Sequence, residues 1–126
     1  MLALVIDDSR AMRSILREML LEVGFETVEA AHGEEALSVL EDRPETALAL
    51  LDWNMPVMDG FEFLTRVRSR PEFRSLRIMM VTTETESDQV SKALLAGANE
   101  YLMKPFSKEA LYAKLNMIDA LPEGGI

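Results

Sequence analysis

The sequence predicts a three-layer α/β domain in which helices cover both faces of a five-stranded parallel β-sheet, a doubly wound (βα)5 arrangement. Short apolar runs alternate along the chain with segments of helical periodicity, a pattern typical of right-handed parallel crossovers. The 126 residues, 48% of them hydrophobic, can bury the core of one ordinary domain and argue against disorder.

Each run predicted as a strand is short, apolar and followed by polar or turn-forming residues. The central run, ALALL at residues 47–51, does not alternate, which favours a strand buried on both faces, and Asn54, Pro56 and the Asp59-Gly60 pair after it are turn signals. Residues 25–29 alternate like a half-exposed strand. The five predicted strands span residues 2–6, 25–29, 47–51, 77–81 and 100–103.

Between these strands, apolar side chains recur at helical spacing. Ser9 and the acids before it offer N-cap oxygens to the first helix, and Gly24 suits its left-handed C-terminal residue. Residues 1–121 are interpreted as one domain, 122–126 as a short frayed tail, and no output domain is expected. The predicted helices span residues 12–23, 33–42, 61–67, 88–96 and 108–118.

Charge and composition narrow the function classes. The formal net charge of −9 makes nucleic acid an unsuitable partner, because phosphate backbones are held by clustered lysines and arginines. The chain has no cysteine, hence no disulfide and no thiolate zinc site. Its apolar start lacks a basic flank and is too short for a signal peptide. We therefore expect a cytoplasmic protein that does not enter the membrane.

Polar residues follow or end four of the predicted strands. If the sheet is doubly wound, the carboxyl ends of strands one, three, four and five lie together at one edge, where open parallel sheets bind ligands. A carboxylate there is a candidate for chemistry rather than for solubility. The residues at this edge are Asp7, Asp8, Asp52, Thr82, Thr83 and Lys104.

This set of side chains indicates phosphoryl transfer to a carboxylate. Converging carboxylates repel one another, and a divalent cation would relieve the repulsion. Magnesium takes oxygen ligands and commonly uses one or two carboxylates with phosphate oxygens, so Asp8 and Asp52 fit, with Asp7 in support. Lys104 would supply a positive charge and Thr82 a hydroxyl donor for the transferred group.

Each residue taken alone has a simpler structural interpretation. An acid pair after a strand often caps a helix, and a single Asp before Asn54 and Pro56 is often a turn former. Thr82 and Lys104 could merely end their strands, and Tyr101 could be ordinary strand packing. None of these interpretations explains why the polar residues all fall on one edge.

Four motifs resemble the receiver domain of two-component response regulators. They are Asp7-Asp8 after the first strand, DWNMPVMDG around Asp52, Thr82 ending the fourth strand and Lys104-Pro105-Phe106 ending the fifth. The resemblance covers nearly the whole chain. Among receivers, the chain looks most like the single-domain chemotaxis type. It implies a flavodoxin-like sheet of strand order 2-1-3-4-5.

The resemblance also implies roles for the residues at this edge. Asp52 would accept a phosphoryl group from a histidine kinase, Lys104 would pair with that group, and Thr82 would bond to it. The implied ligands of Mg²⁺ are Asp7, Asp8, Asp52 and the backbone carbonyl of Asn54.

Further roles concern switching. Thr82 and Tyr101 would form the switch, Asn54 and Glu84 would modulate dephosphorylation, and the Lys104–Pro105 peptide bond would be cis. The readout surface would be the fourth helix, strand five and the last helix. Three lysines there would form a basic patch or be isolated solvated charges, namely Lys92, Lys108 and Lys114.

The implied protein is a stand-alone monomeric signalling switch that catalyses only its own phosphorylation and dephosphorylation. Its partners would be a histidine kinase, an effector such as a flagellar motor switch or a phosphotransferase, and a phosphatase. Alternatives are a phosphorelay intermediate and a non-phosphorylated interaction module. The module would be expected to lack Asp52, Thr82 or Lys104, and all three are present.

Two other classes fit less well. An aspartyl phosphatase usually needs a second acid two positions after its nucleophile, where this chain has Asn54. A flavodoxin-like cofactor carrier needs a Ser/Thr/Gly-rich phosphate loop after strand one. The acids Asp7 and Asp8 at that position would repel a phosphate.

Overall fold

Five parallel strands form a single sheet in the order β2-β1-β3-β4-β5. The computed structural model describes residues 1–83 and 87–122. Within those ranges, no helix combines the length and apolar character needed to cross a membrane. The strands are β1 (Leu2–Ile6), β2 (Glu26–Ala30), β3 (Leu48–Leu51), β4 (Arg77–Thr82) and β5 (Glu100–Met103).

Helices connect the strands and cover both faces of the sheet. They are α1 (Arg10–Glu22), α2 (Gly33–Asp42), α3 (Gly60–Arg68), α4 (Ser87–Leu95) and α5 (Lys108–Met117), and a 3₁₀ turn lies at Pro71–Phe73. Side chains of Ser9, Asp59 and Ser107 accept hydrogen bonds from the first-turn backbone of α1, α3 and α5. These caps satisfy backbone donors that would otherwise lack partners.

Alternate residues of the central strands enter two separate cores. Leu4, Ile6 and Leu51 pack with α2, α3 and α4, on what we call the α2–α4 face. Val5 and Leu50 pack with α1 and α5, on the α1–α5 face. Because strand side chains alternate between the two faces, a strand buried on both sides must be apolar throughout, as β1 and β3 are.

The predicted fold class and strand order are confirmed, whereas some boundaries differ. The second strand begins one residue later than predicted, because the Phe25 N–H donates to Leu20 O at the end of α1. β4 continues to Thr82, which pairs with Met103. Gly24 adopts a φ of +100°, the left-handed conformation expected after α1. Residues 123–126 of the predicted tail lie outside the described ranges, and the domain limits stay a prediction.

Candidate functional site

The carboxyl ends of β1, β3, β4 and β5 bring the predicted polar residues to one edge of the sheet. Asp7, Asp52 and Thr82 are buried, with 2%, 8% and 3% of their surface exposed, whereas Asp8 is exposed. One carboxylate oxygen from each of the three acids lies within 4.8 Å of the other two. The edge therefore gathers three carboxylates into one cluster that opens to solvent on the Asp8 side.

Asp7 is held in place by several donors. Its Oδ1 accepts from the Ser9 backbone N–H at 2.8 Å, and its Oδ2 accepts from Lys104 Nζ at 2.9 Å. Its backbone carbonyl accepts from Arg13 Nη1 at 2.6 Å. Sequence reasoning missed Arg13, although its place one turn after the Ser9 cap was a usable signal. With these partners Asp7 is fixed in the structure.

Lys104 lies between the two buried acids. Its Nζ is 2.9 Å from Asp7 Oδ2 and 3.7 Å from Asp52 Oδ1, and its side chain is only 13% exposed. Its backbone N–H donates to Thr82 O at 2.9 Å, and the Lys104–Pro105 peptide bond is cis. The ammonium is thus positioned to contact an anion bound at Asp52.

Asp52 carries an unfavourable charge. Burial raises the pKa of its carboxyl to about 6 from the ordinary 3.8, and the charges of Asp7 and Asp8 act in the same direction. The Lys104 ammonium and a hydrogen bond from the Trp53 backbone lower the pKa but do not offset these effects. A single ammonium is therefore insufficient to balance the acid cluster.

The donor set fits a hard divalent cation such as Mg²⁺. Carboxylate oxygens are the ligands that magnesium prefers, and here three of them lie close together with an excess of negative charge. Asp7, Asp8 and Asp52 would supply these ligands. Asn54 lies in the loop just after Asp52, where its backbone carbonyl is the fourth predicted ligand, and its side chain is exposed.

The loop between β3 and α3 depends on Gly60. A Cβ at this position would collide with the backbone carbonyl of Asp52 and lie 3.0 Å from the Trp53 Cα. The Gly60 N–H donates to Trp53 O at 2.9 Å, and Asp59 caps α3. Close backbone approach therefore makes glycine necessary and fixes the chain that carries Asp52.

Tyr101 and the three lysines of the predicted readout surface each have different neighbours. Tyr101 is partly buried on β5, with Lys114 Nζ 4.3 Å from its ring centroid. Lys114 also pairs with Glu100, while Lys108 pairs with Glu22 and Lys92 lies over the Phe61 ring. The lysines contact different neighbours rather than one another. Glu84, predicted to modulate dephosphorylation, lies outside the described residues.

The fold and this acid cluster together define a known class of signalling domain, and comparison with known proteins identifies it. The family model described as the response regulator receiver domain matches residues 3–116, so the chain belongs to that family. It is 42% identical over 116 residues to the chemotaxis protein CheY1 of Helicobacter pylori, covering 91% of this chain and 94% of that protein.

Solved structures agree with this assignment. The chemotaxis protein CheY4 of Vibrio cholerae superposes with a TM-score of 0.86 at 35% identity, covering 93% of this chain and 97% of that one. CheY in the CheX-CheY-BeF3-Mg²⁺ complex of Borrelia burgdorferi gives 0.88 at 25% identity, covering 94% and 88%. The chain is a two-component response regulator, a signalling protein, as the motifs predicted.

Proposed function

We propose that this receiver is a phosphorylation switch of chemotaxis-type signalling, in which Asp52 accepts a phosphoryl group from a histidine kinase. The observation that carries the proposal is the convergence of Asp52 with Asp7, Asp8 and Lys104 at one sheet edge. Relatives named as chemotaxis proteins support the pathway.

The proposed reaction is an in-line displacement at phosphorus. A carboxylate oxygen of Asp52 attacks the phosphorus atom, an O–P bond forms, and the P–N bond to the kinase histidine breaks with its electron pair returning to nitrogen. Lys104 pairs with the phosphoryl oxygens, and the Thr82 hydroxyl bonds to one of them. Asp7, Asp8, Asp52 and the Asn54 carbonyl would hold Mg²⁺, and the ion would supply positive charge to offset the negative charges of the carboxylate and the phosphoryl oxygens.

Two features of this site suit the carboxylate for its role. Both oxygens of Asp7 accept hydrogen bonds, from the Ser9 backbone and from Lys104. Asp52 accepts from the Trp53 backbone, and the Lys104 ammonium lies farther from it, at 3.7 Å. The raised pKa of about 6 still leaves Asp52 mostly ionised at pH 7. The nucleophile is therefore present in its reactive form.

The output of the switch is proposed to run through Thr82 and Tyr101. Movement of Thr82 towards the phosphoryl group would let Tyr101 turn in behind it and change the surface of α4, β5 and α5. That surface would meet the effector, a flagellar motor switch or a phosphotransferase. Water attack, modulated by Asn54 and Glu84, and a phosphatase would reset the switch. The solved complex of the Borrelia CheY with CheX supports the expectation that this chain binds a separate partner protein.

Intact mass spectrometry after incubation with acetyl phosphate and Mg²⁺ tests the acceptor. The wild-type chain should gain one phosphoryl group, and Asp52→Asn should gain none. Asp119→Asn is the matched control, because Asp119 is exposed and lies at the opposite edge of the sheet from Asp52. It borders a surface pocket together with Met1 and Ala47, the residues just before β1 and β3. Modification of Asp52→Asn in the same yield as the control would overturn the assignment.

The output path needs a separate measurement. Amide hydrogen exchange with and without beryllofluoride, a phosphoryl mimic, should change in β4, β5 and the loop after Asp52. The helices α1 and α2 serve as the internal reference. Changes confined to those two helices would show that the proposed output surface is wrong.

A further inference from the structure

A small cavity lies behind Thr82 on the α2–α4 face. Thr82 of β4, Gln89 of α4 and Tyr101 of β5 contribute to its wall, which also includes the apolar side chains of Met80 and Val90. The cavity therefore adjoins both residues of the proposed switch. The side chain that α4 contributes to this cavity is Gln89, a polar residue that has no role in the proposed phosphorylation chemistry.

Gln89 presents an unmet hydrogen-bonding group at this place. Its Oε1 is buried, and among the residues that the structure describes it has no hydrogen-bond partner. A buried amide oxygen without a donor costs its desolvation free energy, so such atoms are rare in folded proteins. A donor that arrives in a second conformation would remove this cost. The residues that line the same cavity include three with a donor group, namely Trp53, Thr82 and Tyr101. Of these, the Tyr101 hydroxyl is the donor that the proposed switch would turn inward, whereas Thr82 would move away towards the phosphoryl group.

Tyr101 also contacts a charged side chain of α5. Lys114 Nζ lies 4.3 Å from the centroid of its ring and 3.2 Å from Glu100 Oε1, which anchors the ammonium. A cation over an aromatic face is attracted to the ring, so this contact favours the present position of Tyr101. The position in contact with Lys114 is here called the outward position of the ring, and a ring that turns inward would leave it.

We propose that Gln89 is the positioning residue that pairs with the Tyr101 hydroxyl when the ring turns inward, and that Lys114 opposes that turn. This inference rests on the proposed function, in which Thr82 moves towards the phosphoryl group and frees space behind it. The phenol O–H then donates to Gln89 Oε1. A phenol both donates and accepts, so either end of the amide can serve as its partner.

The two contacts set the balance between the two positions of Tyr101. Loss of the amide should lower the inward-to-outward ratio in the activated protein, because the hydroxyl would be buried without a partner. Loss of the ammonium should raise the same ratio in the free protein, because the outward position loses its attraction. Gln89 and Lys114 therefore act in opposite directions on one side chain.

Fluorine NMR of protein labelled with 3-fluorotyrosine measures this ratio. The chain has two tyrosines, and Tyr101→Phe assigns their signals. With Mg²⁺ and beryllofluoride bound, Gln89→Met, which fills the space without an amide, should lower the ratio about fivefold, as expected for one neutral hydrogen bond. Without ligands, Lys114→Met should raise it about threefold.

Val90→Ala is the control, because Val90 lines the same cavity without a polar atom. It should leave the ratio at or above the wild-type value. A wild-type ratio in Gln89→Met, or an equal decrease in Val90→Ala, would overturn the proposed pairing.

The same samples separate this inference from the proposed function. If acetyl phosphate fails to modify the wild-type chain, the proposed function fails. The pairing is then decided in the free protein, by whether Gln89→Met cancels the increase that Lys114→Met produces. Persistence of that increase in the double variant would overturn the pairing.

Discussion

Arg68 is a partly buried charged group and Asp52 a buried one, and their surroundings are opposite. Burial lowers the pKa of the Arg68 guanidinium, and the charge of Arg77 adds to this effect. The guanidinium nevertheless donates at 2.7 to 3.0 Å to acceptors on three separate segments, which are the carbonyls of Gly97, Phe73 and Leu76 and the side chain of Asn99. Asp52 instead faces two other acids and one ammonium at 3.7 Å.

The contrast separates a charge that holds the fold together from one that is proposed to serve the function. Each contact of Arg68 joins α3 to the 3₁₀ turn, to the start of β4 or to the α4–β5 loop, so its charge holds the fold together. Asp52 keeps a carboxylate whose charge the described part of the fold does not fully balance, and a bound cation would balance it. We therefore expect removal of Arg68 to destabilise the chain and removal of the Asp52 charge to stabilise it.

The largest expected effect comes from Arg68→Met, which removes the guanidinium but keeps an unbranched side chain. Three backbone carbonyls would lose their donor, and we expect the free energy of unfolding to fall by about 3 kcal/mol. Urea denaturation followed by circular dichroism measures this. Arg74→Met is the control, because Arg74 is exposed, and it should stay within about 0.5 kcal/mol of wild type. Equal losses in the two variants would break the contrast.

Magnesium should stabilise the chain by neutralising the acid cluster. At a concentration one hundred times its Kd, the ion should add about 2.7 kcal/mol to the free energy of unfolding. Trp53 adjoins the cluster and is the only tryptophan, so its fluorescence reports binding and gives the Kd. Asp8→Asn, which removes the exposed carboxylate, should weaken both responses. An unchanged titration in that variant would place the ion elsewhere.

Asp52→Asn should stabilise the chain when divalent ions are removed by a chelator. The folded pKa of about 6 lies above the ordinary 3.8, so the folded state binds the proton more tightly and loses stability as the pH rises between these values. The free energy of unfolding of the variant should therefore exceed that of wild type by about 1–2 kcal/mol at pH 7, after a discount for solvent screening. At pH 4 the two values should differ little. If the variant and wild type differed in free energy of unfolding by the same amount from pH 4 to pH 7, folding would not disfavour the ionised form of Asp52.

The sequence predicted the acid cluster well because its members follow strands. The end of a parallel strand determines the sheet edge, so Asp7, Asp52 and Lys104 could be placed together once the strands were known. Arg68 was not predicted, since its acceptors lie up to 31 residues away and arise only when three loops meet. The cavity at Gln89 was missed for the same reason, because it depends on how α4 packs on the sheet.

The smallest expected effect concerns backbone strain on the two edges of the sheet. Val57, in the loop after Asp52, has a φ of 70°, and Asp119, on the opposite edge, has a φ of 57°. Asp tolerates this left-handed conformation, whereas a β-branched residue is strained in it. Val57 is also 70% exposed, so its side chain buries little to offset the strain.

Val57→Asn should therefore raise the free energy of unfolding by about 1 kcal/mol, measured by urea denaturation in the absence of divalent ions. Asp119→Asn should change it little, because both residues suit a positive φ. Val57→Thr, which keeps the β-branch, is the matched control and should gain nothing. If Val57→Thr stabilised the chain as much as Val57→Asn, polarity rather than backbone strain would explain the gain. The sheet edge that carries Asp52 would then show no more backbone strain than the opposite edge.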